Sequence, residues 1–150
     1  MFMKGKPMKK FIIILMFFII CGCVKNIHTA TIDQNIEEVK QYLAKGEDIN
    51  ATDRNGFTPL IYAAYYGHFP MARFLCDKGA DVNRKNNEGQ TALLYAVYYN
   101  HLDIVKTLLD HNADVNIVNN YGYNAFEYAK KYQYQEILTI LKAHGAKSTN

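Results

Sequence analysis

Residues 53–85 read DRNGFTPLIYAAYYGHFPMARFLCDKGADVNRK, and the chain then repeats itself. Residues 86–118 read NNEGQTALLYAVYYNHLDIVKTLLDHNADVNIV, and residues 119–147 read NNYGYNAFEYAKKYQYQEILTILKAHGAK. Gly56, Gly89 and Gly122 fall in step at a spacing of 33, as do Leu60, Leu93 and Phe126, and Ala80, Ala113 and Ala146. A fixed period of this size marks a stacked array, in which each unit buries its apolar flank only against its neighbours.

The local chemistry of one period gives two helices and a turn. Asn55-Gly56, Glu88-Gly89 and Tyr121-Gly122 put glycine where a tight turn needs positive φ. Thr58, Thr91 and Asn124 are good N-caps, and Pro59 occupies a first helical position, where its missing N–H costs nothing. Gly67 and Asn100 suit a left-handed close to the first helices; Gly46, Gly79, Asn112 and Gly145 suit the same role after the second. Leu60, Ala63, Ala64 and Gly67 form a face of small residues, whereas Met71, Phe74 and Leu75, then Ile104, Val105, Leu108 and Leu109, carry the apolar spacing of the second helices. Upstream, NIEEVKQYLAKGEDIN (residues 35–50) aligns one period ahead of HFPMARFLCDKGADVN (residues 68–83), and IHTATIDQ before it supplies a first helix with Ala30 on the packing side. Residues 27–52 thus read as an atypical N-terminal unit. Residues 119–147, with polar replacements such as Lys130 and Gln133, read as a C-terminal one, and 148–150 as a frayed tail.

The pieces TPL, AAxxGH and GADVN at fixed offsets resemble ankyrin repeats, over residues 27–147. The resemblance implies an all-α solenoid of about four helix-turn-helix units (27–52, 53–85, 86–118 and 119–147) with hairpin-like tips. It also implies protein binding, without catalysis or cofactor. In that family the variable tip positions and the pair after Ala-Ala face a concave groove. Carried over, these are Arg54, Asn55, Phe57, Tyr65 and Tyr66; Asn87, Glu88, Gln90, Tyr98 and Tyr99; and Asn120, Tyr121, Tyr123, Lys131 and Tyr132. Tyrosine and asparagine suit such a surface, giving rigid amphipathic area and adaptable hydrogen bonds. The competing reading is that the rings cover helix faces, and it is the better account of the periodic Tyr62, Tyr95 and Tyr128.

Ahead of the repeats, Lys9 and Lys10 precede FIIILMFFII (residues 11–20), then Cys21, Gly22 and Cys23. The apolar run is about half the roughly 20 residues that a spanning helix needs, and a basic start with a small-residue end describes an export signal. Met8 is a candidate true start. Ile20-Cys21-Gly22-Cys23 resembles a lipoprotein lipobox, although Cys21 departs from the usual Ala or Ser. The resemblance implies a signal at 1–22, diacylglycerol on the Cys23 thiol, a short tether at 23–26 and attachment to a bacterial envelope. An uncleaved anchor, which would hold the repeats at the cytoplasmic face, and an ordinary cleaved signal are the alternatives.

Charge and chemistry narrow the rest. Four of the 17 basic residues (Lys4, Lys6, Lys9 and Lys10) precede residue 11, where no acid occurs, so the remaining 13 face 14 acids. That leaves no basic stripe for nucleic acid, and a monomer is expected. Cys76 stands where Leu109 stands one period later and reads as a buried hydrophobe. His68 and His101 sit a period apart, about 10 Å in such a stack, too far to share a metal ion; the resemblance implies a hydrogen-bonding role for both. His111 and His144 fall at helix C-termini, on the surface. Asp48, Asp81 and Asp114, with Asn50, Asn83 and Asn116, recur with the period and read as structural. No nucleophile–base motif or phosphate loop is present.

Overall fold

The computed structural model describes residues 25–149; Cys23 and the leader lie outside them. Among the described residues eight helices follow one another: α1 (Ile27–Ile32), α2 (Ile36–Ala44), α3 (Pro59–Tyr66), α4 (Phe69–Asp77), α5 (Ala92–Tyr98), α6 (Leu102–Asp110), α7 (Ala125–Lys131) and α8 (Gln135–Ala143). The described residues contain no strand. Consecutive helices pair as hairpins, α1, α3, α5 and α7 stack in one row, and α4, α6 and α8 stack in a second. This is the expected all-α solenoid.

Each hairpin is made by the same short set of bonds. Thr58, Thr91 and Asn124 cap their helices by accepting from the N–H groups of Ile61 (3.2 Å), Leu94 (3.3 Å) and Glu127 (3.0 Å). At the other end of the first helices the chain turns through a left-handed residue: Gln34, Gly67, Asn100 or Gln133, with φ between 57° and 74°. The N–H groups of Asn35, His68, His101 and Tyr134 then reach back to the carbonyls of Ala30, Ala63, Ala96 and Ala129 at 2.8–2.9 Å. This back-bonded turn satisfies carbonyls that a helix end otherwise leaves open. It also explains why α4, α6 and α8 begin without a side-chain cap. Glycine and asparagine were expected at two of these turns; glutamine at Gln34 and Gln133 was not, since its longer side chain cannot bond its own backbone in the left-handed region as asparagine does.

The four alanines of that turn are buried to 1 % exposure or less, and their small size lets the first-helix row close up. Larger apolar side chains fill the space between rows: Leu60, Ile61, Met71, Leu75, Leu93, Leu94, Ile104, Leu108, Ile137 and Leu141 are fully buried. Cys76 lies among them as a buried free thiol, its pKa pushed up to about 12 by burial and then by Asp77.

Two hydrogen-bond relays tie unit to unit. Along one edge, Asn50, Asn83 and Asn116 accept from the backbone N–H of Asp81, Asp114 and Lys147 (2.8, 2.8 and 3.0 Å), each in the following unit. The carboxylates of Asp48, Asp81 and Asp114 accept in turn from the N–H of Asn50, Asn83 and Asn116 at 2.9–3.0 Å. The periodic Asp and Asn positions are therefore structural, as their spacing implied. Along the tips, the N–H of Asn87 donates to the Asn55 carbonyl (3.1 Å) and that of Asn120 to the Glu88 carbonyl (3.0 Å).

Bonds are also made at both ends of the described residues. Of the tail, Ser148 and Thr149 are bonded back to the last unit: Ser148 Oγ donates to Glu127 Oε1 at 2.7 Å and Thr149 N–H to the same oxygen at 3.2 Å. Those bonds hold the Glu127 carboxyl below its ordinary pKa. Asn26, counted above with the tether, is the N-cap of α1, exchanging bonds with Thr29 at 2.9 and 3.0 Å.

Candidate functional site

Every tip is built on one Asx residue. Asp53, Asn86 and Asn119 each accept two backbone N–H bonds from their own loop, from residues two and four ahead, at 2.9–3.0 Å. The tip closes with Asp53 N–H to the Phe57 carbonyl (3.1 Å), and likewise Asn86 to Gln90 and Asn119 to Tyr123 (both 2.9 Å). The remaining side-chain atom reaches the periodic tyrosine of the first helix. Tyr62 donates to Asp53 Oδ2 at 2.7 Å, whereas Asn86 and Asn119 donate to the hydroxyls of Tyr95 (3.2 Å) and Tyr128 (2.8 Å). So Tyr62, Tyr95 and Tyr128 hold the tips to the helices. Sequence reasoning gave them packing alone; their partners at nine residues' distance within the same unit were the missed signal.

The variable-position rings continue outward from this base. Tyr65 packs edge-on against Tyr95 (5.3 Å between centroids) and Tyr99 (5.0 Å) of the next unit. One period later Tyr98 does the same with Tyr128 and Tyr132, both at 5.3 Å. Tyr66 lies parallel to Tyr62 and to His68 (6.3 and 5.6 Å). Phe57 and Tyr123 cover Tyr62 and Tyr128 at 4.9 and 5.1 Å. The Tyr99 and Tyr132 hydroxyls are held above their ordinary pKa, first by bonds with Tyr65 and Tyr98 and then by desolvation. Packing and exposure coexist: Tyr66, Tyr98, Tyr99, Tyr121 and Tyr132 remain between 37 and 61 % exposed. Lys131, in place of the tyrosine at positions 65 and 98, lays its ammonium over the Tyr123 ring at 5.0 Å and the Tyr132 ring at 5.7 Å.

Of the remaining candidates, Arg54, Asn55, Asn87, Glu88 and Asn120 are exposed at the tips, and Phe57, Tyr65 and Tyr123 are half-buried. Asn87 and Asn120 also donate across to the carbonyls of Arg54 and Asn87 at 3.1 and 3.0 Å, so they serve the stack as well as the surface. Gln90 differs: it is 7 % exposed and donates to the Tyr128 hydroxyl at 3.0 Å, on the floor of the face and not its surface. Phe57, Tyr65, Glu88, Gln90, Tyr95, Tyr98 and Tyr99 enclose an open recess of about 410 Å³.

The histidines are structural. His68 Nε2 meets the Ile32 carbonyl at 3.1 Å, one unit back. Burial holds His101 below its ordinary pKa, against a bond to the Tyr65 backbone and with the charge of His68 adding to the depression. His111 and His144 each bond a carbonyl of their own helix at 2.9 Å, those of Thr107 and Ile140.

A family model described as ankyrin repeats (many copies) matches residues 42–95 and 76–129, more than half of the chain. The chain belongs to the ankyrin repeat family. Among curated proteins, human "DNA-binding protein RFXANK" is 36% identical over 53 residues, which is 35% of this chain and 20% of that protein. Human myotrophin is 47% identical over 45 residues, 30% of this chain and 38% of that protein. The matches thus span well under half the length of these curated relatives. As an ankyrin repeat stack, the chain is a protein–protein interaction module.

Proposed function

We propose that this ankyrin stack is held at a bacterial envelope through an acylated Cys23 and binds a protein partner on the face shared by its tips and first helices. One observation carries the choice of face. Of the six large hydrophobic residues exposed among the described residues, five are tyrosines of this row or its tips, Val118 being the sixth. A contiguous patch of exposed rings marks an interaction site, and a few such anchors supply most of the affinity. With Asn26 the cap of the first helix, two residues stand between Cys23 and that cap, a span of roughly 10 Å when extended. The stack would lie against the membrane surface, with its partner a membrane or envelope protein. RFXANK carries DNA binding in its name, but the balance of 13 basic and 14 acidic residues beyond residue 10 argues against that role here.

The test is crosslinking in intact cells followed by partner identification. Two sets of substitutions serve as controls: Tyr66, Tyr99 and Tyr132 to Ala, and Arg54, Glu88 and Tyr121 to Ala. Loss of the partner with both sets supports this face; retention with both places binding elsewhere, as on the convex side. Mass spectrometry of the mature N-terminus tests the anchor, and any unmodified residue remaining ahead of Cys23 overturns it.

A further inference from the structure

The recess at Gln90 lies where the aromatic row carries a polar side chain in place of a ring. Phe57 in the second unit and Tyr123 in the fourth lay a ring over the tyrosine that anchors their tip, at 4.9 and 5.1 Å. Gln90 holds the same position in the third unit without a ring; where Phe57 also reaches Tyr95 of the next unit, at 5.5 Å, Gln90 donates to the Tyr128 hydroxyl. The recess beside it is walled by Phe57, Tyr65, Tyr95, Tyr98 and Tyr99. Its volume, about 410 Å³, lies within the range of ligand pockets.

Two further features say what chemistry fits. Glu88 stands at the rim, and among the described residues its carboxylate has no ion-pair partner. Tyrosine faces carry negative potential and attract cations, most strongly where water is partly excluded. The molecule already uses this pairing one unit away, where the Lys131 ammonium rests over Tyr123 and Tyr132. The third unit has the rings and the acid but no cation. Gln90 adds a buried polar atom without a partner, Oε1; with its amide turned over, the orphan would be Nε2, and a peptide backbone satisfies either.

Resting on the face assigned above, we infer that this recess is a socket for one arginine side chain of the partner, presented by an extended segment. Arginine is favoured over lysine because its planar guanidinium stacks on a ring while its edge donates two N–H bonds to a carboxylate. Here those are the tyrosine walls and Glu88.

A random peptide library selected on the immobilised full-length chain in detergent tests this without knowledge of the partner. Arginine should be enriched at one fixed position of the selected peptides. Glu88→Gln should weaken the best peptide by about three- to tenfold. Gln90→Phe, which restores the ring found at Phe57, should abolish the arginine preference while thermal melting shows the stack intact. Replacing the peptide arginine by citrulline, equal in shape but neutral, should weaken it as Glu88→Gln does. Peptides that need the tyrosine row but show no cation overturn the socket and leave the binding face standing. Lysine selected as often as arginine overturns the guanidinium assignment. Failure to select any peptide sensitive to the tyrosine row overturns both.

Discussion

Single positions in this stack can be read through their backbone. Gln133 sits at φ 60° where the second unit has Gly67, and a side chain in that region costs about 1–2 kcal/mol that glycine avoids. Gln133→Gly should therefore stabilise the chain by about 1 kcal/mol, read as a higher midpoint in urea at unchanged slope. The reverse exchange is worse than the backbone alone implies. A Cβ on Gly67 would lie 2.6 Å from Cε1 of His101, so Gly67→Ala should cost about 2 kcal/mol or more. The rings divide in the same way. Tyr121 is 61 % exposed and Tyr121→Ala should leave the melting temperature within experimental scatter. Tyr99, against Tyr65, Tyr95, Tyr98 and His101, should lower it measurably when truncated, at about 0.5–1.5 kcal/mol per aromatic pair lost.

At the scale of elements, burial decides the worth of similar hydrogen bonds. Asn83 and Asn119 each accept backbone N–H groups, but Asn83 is exposed and Asn119 is buried beneath the tip. Water replaces what Asn83→Ala removes, so that change should cost about 1 kcal/mol. Asn119→Ala strips bonds from the N–H groups of Tyr121 and Tyr123 and from the Tyr128 hydroxyl, and should cost about 2–3 kcal/mol in the same denaturation assay. These elements were legible in the sequence where chemistry is local. Thr58, Thr91 and Asn124 announce caps, and Gly46, Gly79, Asn112 and Gly145 announce left-handed closes, because each acts on its own backbone. What joins units was legible only as recurrence. That Asn50 meets Asp81, or that Asn87 spans two tips, depends on the offset between neighbouring units, which a residue pattern does not state. The aromatic row shows the limit most clearly. The family resemblance placed Tyr65, Tyr98 and their neighbours on one face, but only the packing shows that they support one another while staying half-open. It also shows that Gln90, read as a surface contact, lies buried on the floor of the recess.

Across the whole molecule, stability is shared through interfaces between units, as expected of a linear array, and protonation at one such interface should be felt throughout. His101 joins the second and third units through the Tyr65 backbone, and burial depresses its pKa from the ordinary 6.5. Above that value the histidine is neutral in folded and unfolded chains alike, and its contribution is complete. As pH falls below 6.5 the unfolded chain takes up a proton that the folded chain refuses, so stability declines until the folded pKa is passed. Asp53 adds a second, lower step of the same sign. Burial opposes its charge, but bonds from the Tyr62 hydroxyl and the N–H groups of Phe57 and Asn55 outweigh it and hold the carboxyl below 3.8. Its stabilisation stands above that value and is lost as pH drops through the folded pKa. Thermal melting of the full-length chain should accordingly fall between pH 7.5 and 5.5 and fall again below pH 4. Tyr134 occupies the equivalent of position 101 in the fourth unit, so His101→Tyr is a substitution the stack already accommodates and one that does not titrate in this range. The upper step should flatten in that variant while the lower one persists; an upper step of unchanged size would move its origin away from His101.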